Sequence, residues 1–134
     1  MSIPYDTAYT PPAPILQIRL AAPGEPPQVG PLPAIVDTGS DGTLIPTEYL
    51  EQIEAIGMGD AVLYGVVGEA RRVHLYEIDL HVGLLLLPGA IVVGDDHGHE
   101  AVLGRNILNK LILLLDGPRR ETELFERRPQ LARS

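Results

Sequence analysis

The stretch that decides the fold is Ala34-Ile35-Val36-Asp37-Thr38-Gly39-Ser40, in which an apolar run ends on a carboxylate, a hydroxyl and a glycine. A short apolar run bounded by turn residues is typical of a buried β-strand. The glycine gives the backbone the freedom that a sharp loop requires. The pattern therefore predicts a strand that delivers Asp37 to a tight loop, although Asp-Thr-Gly by itself also fits an ordinary turn.

A second segment, Ala101-Val102-Leu103-Gly104-Arg105-Asn106-Ile107-Leu108, repeats the pattern of an apolar run that ends on glycine. It predicts a strand over 101–103 and a short helix near 105–110. The remaining apolar runs alternate with turn residues. They predict strands at 15–20, 32–36, 61–67, 70–82, 84–93, 111–115 and 121–126, and a helix that begins with Thr47 as its N-cap and buries Leu50, Ile53 and Ile56.

Length and composition indicate one all-β domain. The chain has 134 residues, 45% of them hydrophobic, with no Trp and a single Phe, so the core must be aliphatic. Its 14 Gly and 13 Pro favour many short strands separated by turns. We expect a closed, mostly antiparallel β-domain over 15–126, with one or two short helices, a Pro-rich N-terminal arm over 1–14 and an Arg-rich C-terminal tail over 127–134.

Charge and residue content exclude several classes of protein. A net charge of −8 argues against a nucleic-acid partner, because phosphate contacts need clustered Lys and Arg. The absence of cysteine excludes disulfides, thiolate metal sites and a Cys nucleophile. No secretory signal is recognisable, and the Leu-rich runs 84–87 and 111–115 are too short to span a bilayer and are interpreted as buried strands. We therefore expect a cytoplasmic protein without a membrane partner.

Other groups of polar residues give weaker indications. The run Asp95-Asp96-His97-Gly98-His99-Glu100 is rich in possible metal ligands, but it is flexible and contains glycine, which favours a solvated loop. His74 and His81 lie on predicted strands without an obvious Ser or Cys partner. We expect neither a metal nor a cofactor.

Taken together, the segments 34–40 and 101–108 resemble the active-site loop of retropepsin-like (clan AA) aspartic proteases, which are single-domain peptidases that act as homodimers. The resemblance covers about 15–125. It implies a closed acid-protease β-barrel with one lobe per chain, and Asp37, Thr38 and Gly39 as the catalytic triplet. In the family the Thr hydroxyl ties two loops together, and the Gly lets the substrate backbone approach.

The chain contains a single Asp-Thr-Gly, so the resemblance implies that the second carboxylate is Asp37 of another copy. Two adjacent carboxyl groups share a proton and titrate as a pair. Aspartic proteases are the standard example of this coupling. The implied function is an aspartic endopeptidase that binds extended apolar peptides. The alternatives are a catalytically silent peptide-binding or dimerisation module, and a protease active only in a longer complex or after its arm is trimmed.

The resemblance also assigns supporting residues. Asp41 would be held by Arg105 of the Gly-Arg-Asn segment through two parallel bonds, with Asn106 beside it, unless Arg105 is simply an exposed cation. Substrate contacts would come from Ser40, Asp41 and Ile45 and from a flap, which is a hairpin that closes over the substrate. The predicted flap residues are Gly65, Val66, Val67 and Gly68, although a Gly-containing hairpin is also common without that role.

Some features differ from the viral members of the family. Gly42 replaces an acidic residue that is common in the viral enzymes, and Ser40 is more typical of cellular members. The helix near 47–56 and the Asp-Gly-Pro turn at 116–118 look like bacterial relatives. We also hypothesise that the Ser40 hydroxyl donates to the Asp37 carboxylates and moves activity toward acid pH.

Overall fold

A computed structural model describes residues 1–64 and 67–130, which form a mostly β domain. The elements follow the order β1 (Ser2–Pro4), β2 (Ile15–Ala21), β3 (Val29–Val36), β4 (Leu44–Pro46), α1 (Thr47–Gln52), β5 (Ile56–Tyr64), β6 (Ala70–Val82), β7 (Leu85–Asp95), β8 (Ala101–Leu103), α2 (Arg105–Leu108), β9 (Ile112–Asp116) and β10 (Glu121–Phe125). Neither described helix is long and apolar enough to cross a membrane.

Six strands close into a barrel in the order β2-β3-β8-β4-β7-β6, and antiparallel pairing of β2 with β6 completes the circle. Strands β3 and β8 are parallel, as are β4 and β7, and the other pairs are antiparallel. Strand β5 continues the sheet beyond β6 as an edge strand. The predicted closed all-β barrel with two short helices is thereby confirmed.

The core of the barrel is aliphatic, as the composition predicts. Strand β2 shows why these residues form a strand, because its apolar side chains alternate with exposed Gln17 and Arg19. Strands of this period place one apolar row inside the barrel. The largest fully buried side chains are Leu16, Ile18, Leu20, Ile45, Leu50, Ile53, Ile78, Leu80, Leu103, Ile107, Val82 and Val92.

The start of α1 differs from the prediction. Pro46, not Thr47, occupies the N-cap position, and no side chain caps the helix there. The Thr47 hydroxyl instead donates to Asp96 Oδ1 at 2.6 Å, in the loop after β7. The predicted burial of Ile56 on the helix face was also wrong, because Ile56 is exposed and already belongs to β5.

A second, three-stranded sheet has the order β1-β10-β9. The proline-rich N-terminal segment enters it as an edge strand, since β1 pairs with β10 on one side only among the described residues. Ile3 of β1 is part of the hydrophobic core. The domain boundaries at 14 and 126 stay predictions.

The two Leu-rich runs are less buried than predicted. Leu84 and Leu86 are exposed, and so are Leu114 and Leu115. At the start of β7 the exposure alternates along the strand, as it does in any sheet with one solvated face. In β9 two consecutive leucines are exposed, which means that neither face of this strand is fully covered.

Candidate active site

Asp37 is the first residue after β3, where two parallel strands end side by side. Val36 pairs with Leu103 of β8, and the Asp37 amide donates to the Leu103 carbonyl at 3.0 Å. The chain then turns, because the Ser40 amide donates back to the Asp37 carbonyl at 3.2 Å. This register leaves the Asp37 side chain exposed at the rim of the barrel.

The Asp37 carboxylate is oriented by its own loop. Its Oδ1 accepts a hydrogen bond from the Gly39 amide at 2.9 Å. A Cβ atom on residue 39 would lie 3.1 Å from the same oxygen, a contact tighter than most, so glycine leaves space beside the carboxylate. The exposed carboxylate is therefore oriented by a hydrogen bond from its own loop and is open to approach.

Arg105, the first residue of α2, holds the far side of this loop. Its guanidinium donates one hydrogen bond to the Thr38 carbonyl at 2.6 Å and another to Asp41 Oδ1. Its backbone amide donates to the Ser40 carbonyl at 2.8 Å. The two parallel bonds to the Asp41 carboxylate that the resemblance implied are therefore replaced by one bond to that carboxylate and one to the backbone.

Thr43 is a site residue that the sequence analysis missed. Its fully buried hydroxyl donates to Asn106 Oδ1 at 2.8 Å and accepts from the Gly104 amide at 3.1 Å. Asn106 in turn donates through Nδ2 to the Ile91 carbonyl at 2.9 Å. These bonds connect the loop that follows Asp37 with α2 and β7. A buried threonine has no distinct sequence signal, although its hydroxyl, once buried, requires such partners.

Gly104 allows the two loops to touch. A Cβ atom built on residue 104 would lie 2.0 Å from the Gly42 carbonyl oxygen and 2.8 Å from the Ser40 carbonyl oxygen. Only a residue without a side chain fits between these backbone groups. The glycine that ends the second apolar run thus sets the distance between α2 and the Asp37 loop.

A groove of about 320 Å³ runs from the Asp37 loop to β5. Its lining residues are Asp37, Gly39, Ser40, Asp41, Gly42, Leu44, Val62, Leu63 and Tyr64. Ile45 does not belong to it, contrary to the prediction, because it is fully buried in the core. Side chains alternate along β4, so its neighbour Leu44 contributes to the groove instead.

The predicted flap corresponds to the connection between β5 and β6. Val67 is exposed, and Gly68 has a φ of 85°, which glycine adopts without strain. Gly65 and Val66 lie outside the described residues. Substrate contacts by these four residues stay a prediction.

The Ser40 hydroxyl does not reach the Asp37 carboxylate of its own chain, contrary to the hypothesis. It donates to the Gly42 carbonyl at 2.7 Å and thereby stabilises the loop.

Other titratable clusters have structural roles. In the loop after β7, Asp95 Oδ1 accepts the amides of His97 at 3.1 Å and Gly98 at 2.9 Å, which is a turn stabilised by a side chain. Within residues 1–64 and 67–130, no group of three or more His, Asp or Glu is arranged to hold a metal. Tyr9 donates to Glu100 at 2.6 Å, and this hydrogen bond is the main cause that raises the pKa of Tyr9 to about 12.

Comparisons with known proteins give structural matches and no sequence matches. No protein-family model matches the chain, and a search of curated proteins found none. "EIAV protease complexed with the inhibitor HBY-793" superimposes with a TM-score of 0.57 at 17% identity, covering 73% of this chain and 86% of that one. The "retroviral protease-like domain of Ddi1 from Leishmania major" gives 0.50 at 13% identity, covering 84% and 90%. The chain therefore has the retropepsin-like fold of this retroviral protease and of this retroviral protease-like domain.

Proposed function

We propose that this chain is a member of the retropepsin-like family and an aspartic endopeptidase that acts as a homodimer. The observation that carries the proposal is the exposed Asp37 carboxylate, which a hydrogen-bonded loop presents at the mouth of a groove. Fold alone would not justify an activity. The specific arrangement of acid, glycine and groove supports it.

The groove suits an extended peptide. Leu44, Val62 and Leu63 give it apolar walls, and the backbone of the Asp37 loop lies along one side. Because β5 is an edge strand, it can accept a peptide strand through main-chain hydrogen bonds. Peptide or protein substrates with apolar side chains near the cleaved bond fit these properties.

The proposed reaction needs two carboxyl groups, one from each copy. A water molecule between the two Asp37 side chains gives a proton to the ionised carboxylate while its oxygen attacks the peptide carbonyl carbon. The protonated carboxyl then protonates the departing amine nitrogen as the C–N bond breaks. One chain supplies only half of this pair, so activity requires association.

The test compares wild type, Asp37→Asn and Glu48→Gln on a diverse peptide mixture between pH 3 and 8, with products identified by mass spectrometry. Glu48 is an exposed acid on α1 and lies outside the groove, so Glu48→Gln is the matched control. We expect cleavage by wild type and Glu48→Gln and a loss of at least a thousand-fold in Asp37→Asn, since a group essential to the chemistry is removed.

Sedimentation of the same samples links activity to association. Cleavage should come from a dimer and should fall on dilution below the dissociation constant. If wild type cleaves no peptide at any pH, the protease proposal is wrong, and peptide retention without cleavage would then identify a binding module.

A further inference from the structure

The groove beside Asp37 continues into a second space, which we call the side pocket. This space has a volume of about 300 Å³ and is lined by Leu44, Leu63, Tyr64, Glu69 and Arg71. The first three of these residues also line the groove itself, so the two spaces adjoin. The side pocket therefore combines walls shared with the groove and one residue of each charge.

Arg71 lies on the face of the β5–β6 hairpin that the barrel covers. It pairs with Leu63 across the hairpin, and cross-strand partners point to the same face. Residues two apart on a strand also share a face, and Val73, two residues after Arg71, is only 4% exposed. The side chain of Arg71 is therefore directed toward the side pocket and not toward the outer surface of the hairpin.

The charge of Arg71 has no partner of opposite charge within residues 1–64 and 67–130. None of the ion pairs among these residues includes Arg71, and none includes Glu69. The guanidinium of Arg105, by contrast, is already bonded to Asp41 and to the Thr38 carbonyl. Arg71 therefore presents its full positive charge to whatever enters the side pocket.

We propose that Arg71 binds an acidic side chain of the peptide substrate, glutamate or aspartate, in addition to the apolar side chains that the groove accepts. This inference rests on the proposed function, because it assigns a substrate class to the same groove. A planar guanidinium binds a carboxylate through two parallel N–H···O bonds. In an extended peptide alternate side chains point to the same side, so one of them can enter the side pocket while the backbone passes Asp37.

Glu69 opposes this preference and provides a second readout. Its carboxylate lines the same pocket, so it would repel an acidic side chain and attract a basic one. Arg71 is the better placed of the two residues, because it belongs to the ladder of β6, which holds its backbone against Leu63. Glu69 precedes the first residue of that strand. Removing the charge of Glu69 should therefore strengthen the preference for an acidic side chain.

The test uses a peptide that the wild-type protein cleaves, with each position near the cleaved bond changed in turn to Glu, Gln or Lys. At a pH of about 6 the Glu side chain is ionised. At one or more positions we expect kcat/KM for the Glu peptide to exceed that for the Gln peptide by about three- to ten-fold, as for an exposed but bidentate ion pair. Raising NaCl from about 0.05 M to about 1 M should reduce this ratio, because exposed charges are screened.

Variants assign the preference to one side chain. The Glu-to-Gln ratio of kcat/KM should fall to about one or below in Arg71→Gln, and it should rise above that of wild type in Glu69→Gln. Arg71→Glu should cleave the Lys peptide faster than the Glu peptide. Arg72→Gln is the matched control with a wild-type ratio, because Arg72 is also exposed and lines neither the groove nor the side pocket. A wild-type ratio in Arg71→Gln, or a preference of wild type for Lys over Glu, would overturn the proposal.

Peptide binding separates this proposal from the protease proposal. Fluorescence anisotropy with Asp37→Asn measures the Kd of fluorescein-labelled octapeptides that have Leu-Leu at the centre and one outer Ala changed to Glu, Gln or Lys. If wild type cleaves no peptide but Asp37→Asn binds a Glu peptide more tightly than its Gln counterpart, and Arg71→Gln removes the difference, the acidic specificity stands and the protease proposal fails. Cleavage without a preference for Glu would leave the protease proposal standing and refute the role of Arg71. If no peptide is cleaved and none is bound with a preference that depends on Arg71, both proposals are wrong.

Discussion

Replacing Gly104 with alanine distinguishes two effects on stability at the centre of the site, which are the steric cost of a new methyl group and the effect of backbone conformation. Gly104 has φ −93° and ψ −177°, a conformation that any residue adopts. With open space around it, the substitution would stabilise the protein by about 0.4–1 kcal/mol, because alanine reduces the freedom of the unfolded chain. The sign of the effect therefore depends on the space around the new methyl group.

The structure leaves no such space. The new Cβ atom would lie 2.0 Å from the Gly42 carbonyl oxygen and 2.5 Å from its carbon. Ordinary contact at about 3.5 Å requires a displacement of roughly 1.5 Å. The loop cannot yield cheaply, since the Arg105 and Asn106 amides bond to its Ser40 and Asp41 carbonyls. Overpacking of this kind costs about 3 kcal/mol, at the upper end of the usual range.

Thermal unfolding followed by circular dichroism measures the effect. For a chain of this length, about 3 kcal/mol lowers Tm by about 10 °C. The control is Gly117→Ala in the turn after β9, where nothing lies within 4 Å and φ is not positive, so its Tm should equal that of wild type or exceed it by up to about 3 °C. A Tm of Gly104→Ala equal to or above that of wild type would refute the close approach of α2 to the Asp37 loop.

Two further predictions concern groups away from the groove. The carboxylate of Asp79, which is 6% exposed, accepts the amides of Gly24 at 2.8 Å and Gly89 at 3.0 Å. Asp79→Asn keeps one acceptor and turns an NH₂ group toward the other amide. Urea unfolding should therefore show that the free energy of unfolding falls by about 1–3 kcal/mol. An unchanged urea midpoint would contradict these hydrogen bonds. The raised pKa of Tyr9, about 12 against 10.0, means that the folded state favours the neutral phenol beside Glu100. This contribution to stability is complete below pH 10 and is lost as the pH rises toward 12. The free energy of unfolding of wild type, measured relative to Tyr9→Phe by urea titration, should therefore be smaller at pH 11 than at pH 9. An equal difference at both pH values would refute this prediction.

The sequence was sufficient to predict elements whose pattern is local. The predicted bounds 70–82 and 101–103 coincide with β6 and β8, because alternation or an apolar run is bounded there by glycine. The start of α1 was not predictable in this way. The Thr47 hydroxyl bonds to Asp96, 49 residues further along the chain, and no local pattern indicates such a partner.

The candidate site was also predictable from the sequence only in part. The loop at Asp37 and its neighbour α2 were indicated by two motifs whose residues lie together in the structure. The residues of the groove walls were not indicated by the sequence. Strand β4 has only three residues, which is too few for alternation to show that Leu44 and not Ile45 faces the groove. The Ser40 hydroxyl also had two acceptors within reach in principle, and only the folded loop selects the Gly42 carbonyl.

In β9 the burial that the sequence pattern predicts disagrees with the burial of the leucines in one chain. A continuous apolar run without alternation is typical of a strand buried on both faces. In one chain Leu114 and Leu115 remain nearly half exposed. The exposed leucines at the start of β7 do not raise this conflict, since their exposure alternates with period two. Of the two leucine-rich runs, only that of β9 therefore has a pattern that the described part of one chain does not satisfy.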